Sequence, residues 1–171
     1  MSKIKLTIDN KELDVEKGKT VLQTTQGAGI YIPALCAHPD LPPAPGMKAS
    51  GVIYLGGKPY HSSGANSEFQ GCRLCLVEVE GMKDLATSCN LPAAEGMVVH
   101  TNTPKVQEQR RENLKAILLK HPHACLTCKQ REGCSPFESC PNSIPVKERC
   151  CPKLGYCELQ AVAEYIGIKE D

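Results

Sequence analysis

Residues 71–81, GCRLCLVEVEG, place a Cys-x2-Cys pair directly in front of alternating apolar positions. Leu74, Leu76, Val77 and Val79 predict a strand over 74–79 that begins where the thiols end. Glycine beside such a pair lets backbone N–H groups approach sulfur, which stabilises negative charge there. Cys36 stands alone upstream of the pair and Cys89 alone downstream. Structural zinc sites typically join two close-spaced couples. One couple flanked by two distant singles is nearer the spacing of iron–sulfur ligands, although the gap from Cys36 to Cys72 is far longer than the plant-type one.

The remaining cysteines sharpen this reading. There are eleven in 171 residues, an odd number that one chain cannot fully pair, and the opening MSKIKLTIDN has no apolar segment of a secretory leader. A disulfide scaffold is therefore disfavoured, and metal or redox chemistry in the cytoplasm is expected. The chain has no Trp, five Tyr and two Phe, with thirteen Pro and fourteen Gly, so bound metal is expected to supply part of the folding free energy. Lys plus Arg number 20 against 19 Asp plus Glu, and no apolar run approaches the length of a bilayer span. Neither nucleic acid nor membrane insertion is expected.

Outward from the pair, Ile4, Leu6 and Ile8 alternate with polar residues, turn at Asp9-Asn10-Lys11, and resume at Leu13 and Val15, the pattern of a half-buried hairpin. Thr20 is placed to cap a short helix from Val21 toward Gly27. Residues 37–71 are irregular, with a short strand at Val52–Leu55 and a turn at Gly56-Gly57. Met97–His100 reads as another strand. At Thr103-Pro104 a capping residue and an N1 proline open a helix over 104–120, with Val106, Leu114, Ile117 and Leu118 inward and its charges, including Arg110-Arg111, on a solvated face. A domain boundary is placed near residue 103. Residues 123–156 read as loop, and a last helix from about Glu158 carries Leu159, Val162, Ala163 and Ile166 on one face.

A second ligand pattern, His121-x3-Cys125-x2-Cys128, opens that loop. Together with it, GKTVLQTTQGAGIYIPALC (18–36), GCRLCLVEVEG and CNLPAAEGMVVHT (89–101) resemble the N-terminal 2Fe-2S ferredoxin domain of the large iron–sulfur subunit of NADH dehydrogenase and of related iron-only hydrogenases and formate dehydrogenases. HPHACLTC (121–128) and CELQAVAEYIGI (157–168) resemble the next domain of that family, whose 4Fe-4S cluster has one His and three Cys ligands. The resemblance implies an α+β chain: a β-grasp 2Fe-2S ferredoxin-like domain over 1–103, then a small helical, loop-rich 4Fe-4S domain over 104–171 with a Cys-rich insertion at 129–156.

Carried over by residue, the resemblance assigns Cys36, Cys72, Cys75 and Cys89 to the 2Fe-2S cluster and His121, Cys125 and Cys128 to the 4Fe-4S cluster. Two departures stand out. The 37–71 loop is longer than usual, and the family's fourth 4Fe-4S ligand is split here between Cys134, which has the close spacing, and Cys157, which has the CELQ context. Cys157 is preferred because a helix start fixes a ligand and presents its positive dipole end, with Cys134 as the alternative. The insertion then holds Cys134, Cys140, Cys150 and Cys151, enough for a second 4Fe-4S cluster, yet adjacent Cys150 and Cys151 project differently, which counts against one cuboidal site. The sequence carries both readings.

The expected function is that of an electron-transfer subunit between a flavin-containing, NAD(P)H-oxidising subunit and a separate catalytic subunit. Family relatives carry these domains fused to a larger catalytic portion, and this chain stops at Asp171, so a partner is expected to supply that portion. No catalytic acid, base or substrate pocket is legible, so no enzyme activity of its own is expected; oxygen-sensitive clusters would suit an anaerobe. The rival reading is a zinc-stabilised interaction module without redox function. His38, His61, His100 and His123 read as ordinary loop or surface residues; Gly18-Lys19-Thr20 lacks the first glycine of a phosphate loop, and Gly27-Ala28-Gly29 the third glycine of a dinucleotide fingerprint.

Overall fold

The computed structural model describes residues 2–37, 52–55, 57–61, 71–119 and 156–167. The expected hairpin forms from β1 (Lys3–Ile8) and β2 (Lys11–Glu16), with Ile8 opposite Lys11. Asp9 and Asn10 make its two-residue turn at φ 46° and 67°, left-handed backbone that short polar side chains tolerate and that matches the twist of the paired strands. Thr20 caps α1 (Val21–Gly27) through a reciprocal box with Gln23: each side chain accepts from the other residue's backbone N–H.

Next along the chain come β3 (Val52–Leu55) and β4 (Lys58–His61), a separate two-stranded hairpin with Leu55 opposite Lys58 and Gly57 at φ 78°. The strand expected over 74–79 is shorter, β5 (Leu76–Val79), and is followed by β6 (Ala86–Thr87) and β7 (Val98–His100). These join the first hairpin in one mixed sheet of order β2-β1-β7-β5-β6. β7 runs parallel to β1 and antiparallel to β5. Asp9 secures that junction, accepting from the Thr101 N–H at 2.8 Å and from its hydroxyl.

Alternation along the strands sends Ile4, Leu6, Ile8, Val77, Val79 and Val99 to one face, where they pack with Val21, Leu22, Ile32, Cys75 and Ala93. Leu76 points the other way and is also fully buried, because α2 (Pro104–Leu118) covers β5 there. Thr103 caps α2 by accepting from the Val106 N–H, and the helix buries Val106, Arg110, Leu114 and Leu118 at a spacing of four. Arg110 is therefore not on the solvated face expected for it. α3 (Glu158–Ile166) closes at Gly167, φ 74°, and sets Val162, Ala163 and Ile166 against Leu74, Leu114 and Leu118 in a second apolar cluster. Lys120, the last residue of the helix predicted over 104–120, and residues 123–155 of the predicted loop lie outside the described residues.

The second cluster rests on few side chains, so each counts. Leu114 is fully buried. Leu114→Ala is expected to lower stability by about 2–5 kcal/mol, read as a shifted midpoint in urea denaturation followed by circular dichroism. A loss below about 1 kcal/mol would place Leu114 outside the cooperative core.

Candidate metal centre

Three segments carry the four cysteines of the first set. Cys36 ends the extended run after α1, Cys72 and Cys75 precede β5, and Cys89 follows β6. Their exposure is graded: Cys36 is exposed, Cys72 and Cys89 are half-buried, and Cys75 is buried in the main core.

The fold gathers them as two pairs. In the first, the Cys36 and Cys72 sulfurs lie 3.5 Å apart. The Cys72 N–H donates to Cys36 Sγ at 3.3 Å, and the Leu35 N–H donates to Cys72 Sγ at 3.4 Å. Gly71 makes this approach possible: at φ 72° it takes a backbone that side chains disfavour, and a Cβ there would stand 3.4 Å from Cys36 Sγ. In the second pair, Cys75 and Cys89 are coupled electrostatically: the neighbouring Cys89 outweighs burial and brings Cys75 down to about 6, while Cys89 is pushed up. Ser88 fixes the pair from behind, its hydroxyl and N–H both donating to the Cys75 carbonyl at 2.7 and 2.9 Å. Cys89 also feels the charges of Cys36 and Cys72, so the two pairs share one electrostatic neighbourhood.

Helix α2 holds the loop between the pairs. Asn113 Nδ2 donates to the Arg73 carbonyl at 2.7 Å, and Arg110 Nη2 donates to the Leu76 carbonyl at 2.7 Å, so two bonds from one helix bracket Cys75. Arg73 itself sits at φ 53°, rare for a residue with a long side chain, and the Asn113 bond helps hold it there. Burial lowers the pKa of Arg110, and the neighbouring Tyr165, Cys75, Asp9 and Tyr31 act in the opposite sense. Sequence reasoning missed both α2 residues. The available signal was position: Arg110 lies four residues from Val106 and four from Leu114, in the apolar stripe itself.

This donor set is chemically selective. Four thiols, with amide N–H groups already aimed at two of the sulfurs, suit a soft, electron-rich metal group. Among the described residues no three His, Cys, Asp or Glu side chains converge as they would on a single ion. Four neighbouring thiols are compatible with a group of two metal atoms.

Of the second ligand set, Cys157 alone lies within the described residues. It is the N-cap of α3, half-buried, makes no side-chain capping bond, and packs on the same apolar cluster as Cys72. His121, Cys125, Cys128, Cys134, Cys140, Cys150 and Cys151 lie outside the described residues, as do His38 and His123. His100 pairs with Glu80 across β7 and β5, 3.1 Å from Nε2 to Oε1.

The fold and its neighbouring thiols suit an iron–sulfur protein, and the family match establishes that class. The profile described as "2Fe-2S iron-sulfur cluster binding domain" matches residues 1–52 and 46–104, and the chain belongs to that family. It is 37% identical over 131 residues to a subunit of the NADH-quinone oxidoreductase of Rhizobium meliloti (strain 1021), covering 77% of this chain and 12% of that protein. It is 34% identical over 170 residues to the HndD subunit of the NADP-reducing hydrogenase of Solidesulfovibrio fructosivorans, covering 99% of this chain and 22% of that protein. This chain thus spans a small part of the length of these curated relatives. Among solved structures, the NAD+-reducing [NiFe]-hydrogenase in its H2-reduced state matches with a TM-score of 0.62 and 26% identity, over 97% of this chain and 50% of that one.

Gly71 and Gly29 offer a matched test of the cradle. Both take positive φ, 72° and 69°, but a Cβ meets Cys36 Sγ at Gly71 and nothing at Gly29. Each Gly→Ala change is expected to cost about 1 kcal/mol or more of stability through the backbone. Gly71→Ala alone should also lower iron per chain, measured on anaerobically purified protein.

Proposed function

We propose that this chain is an electron-transfer iron–sulfur subunit whose 2Fe-2S cluster is held by Cys36, Cys72, Cys75 and Cys89. The observation that carries the reading is the 3.5 Å approach of the Cys36 and Cys72 sulfurs, with backbone N–H groups directed at both and the coupled Cys75 and Cys89 thiols in the same electrostatic neighbourhood. Bound there, the cluster supplies a one-electron couple. The protein's part is to hold four negative sulfurs together and to set a dry side and a wet side. Cys75, within the core, lies on the dry side; Cys36, exposed at the opposite end of the set, is where a redox partner can approach.

The sheet with α1 packed across it supports a β-grasp domain over 1–103. On the same proposal, residues 104–171 form a 4Fe-4S domain with His121, Cys125, Cys128 and Cys157 as ligands, Cys134 being the alternative fourth. Cys157 at the start of α3 suits that role, because its side chain is not spent on a cap. Cys134, Cys140, Cys150 and Cys151 are the candidate ligands of a further cluster within the insertion at 129–156.

The relatives' names, a subunit of an NADH-quinone oxidoreductase and a subunit of an NADP-reducing hydrogenase, support other oxidoreductase subunits as partners; on this proposal one is flavin-bearing and oxidises NAD(P)H and another is catalytic. The proposed setting is cytoplasmic, where thiols that ligate metal persist. Among the described residues no helix is long and apolar enough to cross a membrane.

Iron, acid-labile sulfide and zinc per chain, with electron paramagnetic resonance before and after dithionite, test this reading. About six irons fit one cluster of each type and about ten fit a third in the insertion; zinc without sulfide overturns the proposal. His121→Cys replaces a neutral ligand by a thiolate, which opposes reduction, so the potential of the 4Fe-4S signal should fall. An unmoved potential would remove His121 from the ligand set.

A further inference from the structure

Among the described residues Arg110 is the one charged side chain that is buried, at 2% exposure. It occupies a place in the α2 stripe between Val106 and Leu114, both 0% exposed, where an apolar residue would pack. Its Nη2 donates to the carbonyl of Leu76, the residue after Cys75, while its Nε is buried with no hydrogen-bond partner among the described residues. No carboxylate among them is ion-paired with it, and Asp9, the nearest in electrostatic effect, is already engaged by the N–H and hydroxyl of Thr101. A guanidinium does not give up its proton in a protein, and an uncompensated buried charge is costly.

Tyr165 and Cys75 are the foremost groups that favour its charged form, and Cys75 is one of the four thiols. Four thiolates and two sulfides outweigh two ferric ions, so the occupied site is anionic, and reduction makes it more so. We propose that Arg110 is the internal counter-charge of the Cys36, Cys72, Cys75 and Cys89 site and raises its affinity for an electron, acting from the buried Cys75 side. The proposal rests on the 2Fe-2S reading given above. Reduction converts one ferric ion to ferrous with one electron from the reductant, and no bond forms or breaks. A fixed positive charge stabilises the product of that step more than its reactant. Arg110 is thus a positioning and tuning residue, acting on the metal group through the field it sets at Cys75.

The competing view is a mechanical one, in which Arg110 only ties α2 to β5. Two variants separate them in the full chain, purified anaerobically: Arg110→Gln removes the charge and keeps a donor for the Leu76 carbonyl, and Arg110→Lys keeps the charge. Iron content, the resonance spectrum of the reduced 2Fe-2S cluster and its midpoint potential are measured for each. For R110Q with iron and spectrum intact, the equilibrium constant for reduction should fall at least tenfold, about 59 mV for a one-electron couple; R110K should stay within about threefold of the parent. An R110Q potential within that margin overturns the proposal, and so does an R110K potential that falls as far as R110Q. If R110Q does not retain iron, R110K decides: a held potential supports the charge, a tenfold fall overturns it. Parent protein without iron and sulfide overturns the 2Fe-2S reading beneath the proposal, a result distinct from an unshifted variant.

Discussion

Thiols brought close together, which can ionise only at one another's expense, are the constraint around which this part of the molecule is arranged. Two of the four sulfurs stand 3.5 Å apart, and all four fall within one electrostatic neighbourhood. Thiolates so placed repel one another unless donors and cations are fixed around them. The local architecture answers that demand: amide N–H groups of Leu35 and Cys72 point at sulfur, Gly71 clears the space for them, and Ser88 pins the Cys75 carbonyl. On the proposed reading, bound metal ions would provide the remaining positive charge.

Holding the loop in that shape falls to an element outside the sheet. Residues 71–75 have no ladder of their own, yet their backbone must stay in an unfavourable conformation at Gly71 and Arg73. α2 supplies two side-chain donors to the carbonyls on either side of Cys75, and α2 is seated by Leu114 and Leu118 against Leu74 and α3. The helices beyond residue 103 therefore hold the Cys72–Cys75 loop as well as their own apolar cluster. Leu74 lies between Cys72 and Cys75 and belongs to that second cluster, which links the two parts of the chain through one fully buried side chain.

Sequence patterns made much of this legible where a local rule governs the outcome. Ile4, Leu6 and Ile8 alternate because one face of β1 is buried, and Thr20 with Gln23 spells a capping box. The cysteine spacing singled out four thiols that the fold brings into one neighbourhood. It carried no information on which would meet, since Cys36 reaches Cys72 only through loop closure. Leu74 looked like the first residue of a strand because its neighbours alternate, whereas tertiary packing draws it out of the ladder. β6, two residues long, has no period to detect. Arg110 was misread for a different reason: charge normally marks the wet face of a helix, and this side chain is kept inside by what lies across from it.

The exposure gradient across the four cysteines has a consequence for how the site is filled. Cys75 and Cys89 are brought together by β5 and β6, so that half of the set forms as the sheet forms. Cys36 lies at the surface on an extended segment, and its partner Cys72 is reached through a glycine turn. A folded chain of this kind has a closed back wall and an open door. If these four thiols hold a cluster, the exposed Cys36 is the side by which metal and sulfide would arrive and by which an oxidant or chelator would reach them, so one opening would govern both maturation and lifetime in air.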